Sequence, residues 1–126
     1  MVVDASVVVA ILKDEPDQLT YVEALSRRTA KYMSPVNWYE AAVKLEKTRD
    51  FPLYERFIKE AEIEIVPVDE AIMRLAHRAW LQFGKGRSPA QLNLGDCFAY
   101  ATAKLLDEAL LFKGRDFSQT DIASVL

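Results

Sequence analysis

Asp4, Glu40, Asp96 and Asp116 are four acids spread along a chain of 126 residues. Asp4 directly follows the apolar run Met1-Val2-Val3, Asp96 opens an apolar helical stretch after Asn93, and Asp116 comes shortly after Leu110-Leu111-Phe112. Glu40 falls in the first part of a predicted helix. A parallel sheet gathers the carboxyl ends of its strands along one edge, and a topology of that kind would bring these acids together there. Carboxylates gathered without basic partners repel one another, and a divalent cation removes the repulsion. Mg2+ takes oxygen ligands and keeps several waters, so a few carboxylates are enough. A divalent ion makes water easier to deprotonate and stabilises charge on a phosphoryl oxygen. The chemistry this pattern points to is metal-assisted hydrolysis of a phosphodiester. One ion, or two with the second at the leaving oxygen, are both compatible with it.

Each acid also has an ordinary local reading. Asp4 can cap the helix that follows it. Glu40 has Lys44 one helical turn on, a common solvated pair. Asn93-x-x-Asp96 has the spacing of a capping box. Asp116 in Gly114-Arg115-Asp116 reads as a turn acid. Singly, none is specific; their joint placement is what raises the metal-site reading.

The elements that would position them alternate. Met1 to Asp4 reads as a short buried strand. Ser6 to Lys13 is apolar almost all round, as suits a helix packed deep against a sheet. Asp14-Glu15-Pro16 breaks it, with Pro16 in the first turn of a helix running to about Arg28. Lys31 to Ser34 is a weak strand, and Pro35 opens a helix to about Arg49, ended by Asp50-Phe51-Pro52. Leu53, Phe57 and Ala61 then give a helical stripe. Glu62 to Pro67 alternates as a strand. Asp69 caps a helix with the stripe Ile72, Leu75, Ala76, Ala79, Trp80 and Phe83. Gly84 to Gln91 is a loop, Asn93 to Asp107 a helix, Ala109 to Phe112 a strand and Lys113 to Thr120 a loop. Ile122 to Leu126 reads as a last short strand. Strands separated by helices predict an α/β fold, a parallel sheet with helices on both faces.

Length and composition bound the rest. Residues 1–126 are expected to form one domain, and a hydrophobic fraction of 51% is enough for its core. The lone cysteine, Cys97, excludes an internal disulfide and fits a reducing cytoplasm. No apolar run approaches the roughly 20 residues of a membrane span, and no charged n-region of a signal peptide precedes the first strand. The net charge of −3 is weak evidence against a nucleic-acid partner, because the four candidate acids account for all of it.

The sequence around these acids resembles the PIN-domain ribonucleases, most closely the VapC-type toxins of prokaryotic toxin–antitoxin pairs. The motifs that carry the resemblance are Val2-Val3-Asp4-Ala5-Ser6, Asn37-Trp38-Tyr39-Glu40-Ala41, the stretch from Leu92 through Gly95-Asp96 to Ala101, and Phe112-Lys113-Gly114-Arg115-Asp116-Phe117. The third is the most specific, and together they span essentially the whole chain. The resemblance implies a three-layer α/β/α domain and RNA cleavage that depends on Mg2+ or Mn2+. It places metal-binding acids at Asp4 and Asp96, further active-site acids at Glu40 and Asp116, and the hydroxyl of the first motif at Ser6. Asp121 matches a further recurrent position of less defined role. The family also implies a homodimer and a small protein antitoxin as partner.

Other residues carry less. His77 has no second histidine or cysteine at ligand spacing and reads as a surface or boundary residue. Cys97 reads as a small core residue. The basic residues are scattered, with Lys113 and Arg115 the better candidates for phosphate contacts because their loop carries Asp116. Trp38 and Tyr39 flank Glu40 and suit either base stacking or packing. Two alternatives stand beside the toxin: a housekeeping PIN-type RNA-processing nuclease without an antitoxin, and a non-catalytic receiver-like domain. The last would want a second acid beside Asp4, which the sequence lacks.

Overall fold

The computed structural model describes residues 1–48 and 51–126. Four short apolar segments become strands: β1 (Val2–Val3), β2 (Lys31–Met33), β3 (Ile63–Ile65) and β4 (Leu110–Leu111). They pair in parallel in the order β3-β2-β1-β4, with Val2 opposite both Tyr32 and Leu110 and Val3 opposite Leu111. Side chains alternate across a strand, so one sheet feeds two cores. Val3, Met33 and Leu111 pack with helices α1 (Ala5–Leu12), α2 (Gln18–Leu25), α3 (Pro35–Glu46) and α4 (Phe51–Glu60). Val2 and Leu110 pack on the other face with α5 (Glu70–Phe83) and α6 (Leu94–Leu106). This is the expected three-layer α/β/α arrangement.

Local signals set most element ends. The Asp69 carboxylate accepts the Ile72 N–H at 2.9 Å and starts α5, which buries Ile72, Ala76, Ala79 and Phe83. Asn93 and Asp96 form a reciprocal capping box at the start of α6, and Asp107 in the left-handed conformation ends it. Helix α1 buries Ala5 and every residue from Val7 to Ile11, as its nearly all-apolar sequence requires.

Several expectations shift. Pro16 lies in a turn ahead of α2, whose N-cap is Asp17. That helix stops at Leu25, short of Arg28, where the Ser26 hydroxyl donates to the Glu23 carbonyl at 2.7 Å. Helix α3 ends at Glu46, and the expected boundary residues Arg49 and Asp50 lie outside the described residues. In α4 the expected stripe holds at Phe57 and Ala61, which are half-buried against the core, but not at Leu53, which is 52% exposed. The buried positions are Tyr54 and Ile58, because the Tyr54 ring packs 5.2 Å from Trp38 and its hydroxyl donates to the Trp38 carbonyl. The expected last strand is a single parallel bridge, Leu110 to Ser124, and the loop after β4 holds a 3-10 turn at Asp116–Gln119. Among the described residues no helix is long and apolar enough to cross a membrane.

Candidate active site

The site is built where β1 and β4 end and where α3 and α6 begin. Asp4 is the first residue after β1 and the N-cap of α1. Its Oδ2 accepts the Ser6 N–H at 3.0 Å and the Ser6 hydroxyl at 2.5 Å. Its Oδ1 accepts the Asn37 side-chain amide at 3.2 Å. Ser6 Oγ in turn accepts the backbone N–H of Lys113 at 3.0 Å, which ties the end of β4 to the end of β1. Asp4 is buried, and that burial raises its carboxyl above the ordinary range against the lowering effect of the two Ser6 bonds. The nearby Glu40 charge raises it further, and Lys44 opposes this.

Asp96 occupies the first turn of α6. Its Oδ2 accepts the Asn93 N–H at 2.9 Å, and its own N–H donates to Asn93 Oδ1 at 2.8 Å. The capping reading is therefore correct, but it uses one carboxylate oxygen only. Burial pushes the Asp96 carboxyl up to about 7 against the pull of the Asn93 N–H, and the charges of Asp4, Asp116 and Glu40 add to the rise. The other three sequence-identified acids thus act on the position of the fourth.

Glu40, half-buried on α3, accepts Lys44 Nζ at 3.0 Å. Its carboxylate lies against the backbone of Gly95, where any side chain would collide with it. Asp116 is exposed at the start of the 3-10 turn. Asp121 stands apart: it accepts the Tyr100 hydroxyl at 2.6 Å and pairs with Lys104 at 2.8 Å, fastening the tail to α6. The Lys104 bond, then the Tyr100 bond, hold its carboxyl below the usual range.

Among the described residues no three His, Cys, Asp or Glu side chains stand close enough to form a ready-made metal cage. Each of three acids has its own hydrogen-bond partner: Ser6 and Asn37 on Asp4, Asn93 on Asp96 and Lys44 on Glu40. The donor set still fits a hard cation that keeps several waters and needs only one or two carboxylates. Its own electrostatics ask for one, since three neighbouring acids help hold Asp96 towards its neutral form.

Lys113 is not free to meet a phosphate. Its ammonium contacts Glu15 and sits 2.7 Å from Asp17, and these bonds raise its pKa. Arg115 is exposed, and among the described residues no acid pairs with it. His77 is exposed, and Cys97 is buried with its thiol pushed up to about 11, first by burial and then by Asp96. Trp38 packs on Tyr54, whereas Tyr39 stands exposed beside Glu40. Asn37 escaped the sequence reading as a site residue. Its signals were its place at the head of the Asn37-Trp38-Tyr39-Glu40-Ala41 motif and a position three residues before Glu40, on the same face of α3.

The PIN domain family matches residues 1–123 of the chain. Ribonuclease VapC28 of Mycobacterium tuberculosis is 40% identical across 100% of this chain and 98% of that protein. Among solved structures, Mycobacterium tuberculosis VapC20, described as a sarcin-ricin loop cleaving toxin, superposes with a TM-score of 0.78 at 12% identity, over 97% of this chain and 95% of that one. A toxin–antitoxin complex from Klebsiella pneumoniae gives a TM-score of 0.73 at 16% identity, covering 95% and 92%. The chain belongs to the PIN-domain family, within the branch that holds the VapC ribonucleases.

Proposed function

We propose that this chain is an endoribonuclease toxin whose cleavage of RNA depends on Mg2+ or Mn2+ held by Asp4 and Asp96. The observation that carries the reading is the convergence on Asp96. A carboxylate at a helix start, raised first by its burial and then by three acids from distant parts of the chain, is costly unless a cation shares the site. The VapC ribonucleases, similar along the whole chain, supply the reaction class.

When bound, the ion would supply an activated water and charge stabilisation at the phosphoryl oxygens. The protein's part is positional. Asp4 and Asp96 present carboxylate oxygens from two different elements. Ser6 holds the Asp4 carboxylate from its N–H and hydroxyl and is itself held by the Lys113 backbone. Glu40 and Asp116 stand at the rim, where they can orient the attacking water or share a second cation. Exposed Arg115 and Tyr39 offer a phosphate contact and a stacking face for RNA. Residues 1–126 act as one PIN domain in this reading.

The Klebsiella complex supports a small antitoxin as partner, and we place the homodimer with it as part of the same reading. Co-expression with the neighbouring gene product separates the toxin from a housekeeping PIN nuclease: a tight complex that silences cleavage is expected of the toxin only. Light scattering that found monomer alone at tens of micromolar would remove the dimer. The reaction itself is tested with purified protein and a structured RNA. Cleavage should appear with Mn2+ and stop with EDTA, and mapping the cut ends identifies the RNA loop attacked. Undiminished cleavage in EDTA would overturn the metal.

A further inference from the structure

Asn37 has a place in the fold that its residue type alone does not explain. It lies on α3, fully buried, between the end of β1 and the start of α6. Its Nδ2 donates to Asp4 Oδ1 at 3.2 Å and to the Gly95 carbonyl at 3.1 Å. Both donor hydrogens are therefore committed, one to each of the two elements that carry the innermost acids. The acceptor of the same amide has no partner among the described residues. A buried polar side chain kept with an idle oxygen is held there for what its other end does. Packing alone would be served as well by an apolar residue of similar volume, without the desolvated oxygen.

The two bonds bear on distance. Gly95 immediately precedes Asp96, so a single amide group sets the separation of the Asp4 carboxylate from the Asp96 backbone. No other side chain is hydrogen-bonded to both sides of this gap among the described residues. Glu40, three residues on, lies against the same Gly95. One face of α3 thus fixes two acids against one residue of α6.

We propose that Asn37 is a positioning residue of the site: its amide bridges Asp4 to Gly95 and sets the spacing of the Asp4 and Asp96 carboxylates for a divalent cation. The inference rests on the metal reading above. It acts through Asp4 and does not require Asn37 to touch RNA. Hydrogen bonds behind metal ligands orient them, and losing one typically weakens metal binding roughly 10- to 100-fold.

The test compares Asn37→Leu with Asn37→Ala in the full chain. Both remove the amide, and they differ in how much volume they leave. Mn2+ affinity is read by titration of the free ion, folding by thermal melts in EDTA, and kcat separately from KM on RNA. Binding of Mn2+ by the wild type first secures the metal reading on its own; its absence would sink that reading rather than the role of Asn37. Given wild-type binding, both variants should lose Mn2+ affinity by the same roughly 10- to 100-fold factor. The loss should fall on kcat with KM for RNA little changed, even where their melting temperatures differ. A packing role predicts melting temperatures that follow side-chain volume, with Mn2+ affinity of the folded protein intact. That result overturns the proposal. So does a failure of both variants to fold, which would make Asn37 a residue of the fold rather than of the site.

Discussion

The carboxylate of Glu40 rests against the backbone of Gly95, in the space a β-carbon on Gly95 would need. An acid from α3 and the residue before Asp96 are thereby pressed together, and the glycine is a condition of the site.

Gly95→Ala tests this. In a helix the change favours folding by roughly 0.5–1 kcal/mol, and the Glu40 carboxylate is the far end of a flexible side chain that can swing away. The variant should melt no lower than wild type yet cleave RNA much more slowly. Full activity would mean that the position of Glu40 does not matter.

Stability of the metal-free protein should depend on pH through Asp96. Its folded-state value of about 7 lies above the ordinary 3.8, so the unfolded chain releases this proton at lower pH than the folded one. The contribution to folding is fully present below 3.8 and is lost as pH rises through about 7. Asp4 is raised in the same direction, also first by burial. Asp96→Asn should therefore flatten this fall and exceed wild type in EDTA above about pH 7, by on the order of a few kcal/mol. If Asp96 served only as a cap, the variant would instead be less stable by roughly 0.3–1 kcal/mol. Melts in EDTA across this range decide the matter.

The same variant should lose most of the stabilisation by Mn2+. Binding to the folded state alone adds about 2.7 kcal/mol at 100 times the dissociation constant. A variant that kept the whole metal-induced shift would place the cation elsewhere.

Lys113 and Arg115 should separate in RNA binding. Lys113 is engaged with Glu15 and Asp17, whereas Arg115 is exposed. Arg115→Ala should lower the salt dependence of RNA affinity by about one counterion, and Lys113→Met should leave it unchanged. The opposite pattern would show that RNA displaces the acids from Lys113.

What could be read in the sequence was local. Asp69 and the Asn93–Asp96 pair announce helix starts through side-chain bonds to residues close by, and both stand as expected. Asp4, Asp96 and Asp116 could be placed together because each follows a strand or opens a helical element, whereas Glu40 lies inside α3 and carried no such positional signal. What could not be read depends on partners far along the chain. Lys113 meets Glu15 and Asp17 across the fold, so its ion pairs left no local trace. Asn37 reaches Asp4 and Gly95, and a lone polar residue in a helix gives no sign of such partners. The inward position at the start of α4 was missed because Leu53 is as apolar as Tyr54, and only the Trp38 contact decides which of them faces inward.

The central claim is that Asp4 and Asp96 form the metal-dependent centre of an RNA-cleaving enzyme. Its most direct test is cleavage of one structured RNA by wild type, Asp4→Asn and Asp96→Asn, each purified to homogeneity and assayed in EDTA and in millimolar Mn2+. Wild type should cut only with Mn2+, and each variant should be slower by orders of magnitude while melting as a folded protein. Near wild-type cleavage by either folded variant, or wild-type cleavage that persists in EDTA, would contradict the account.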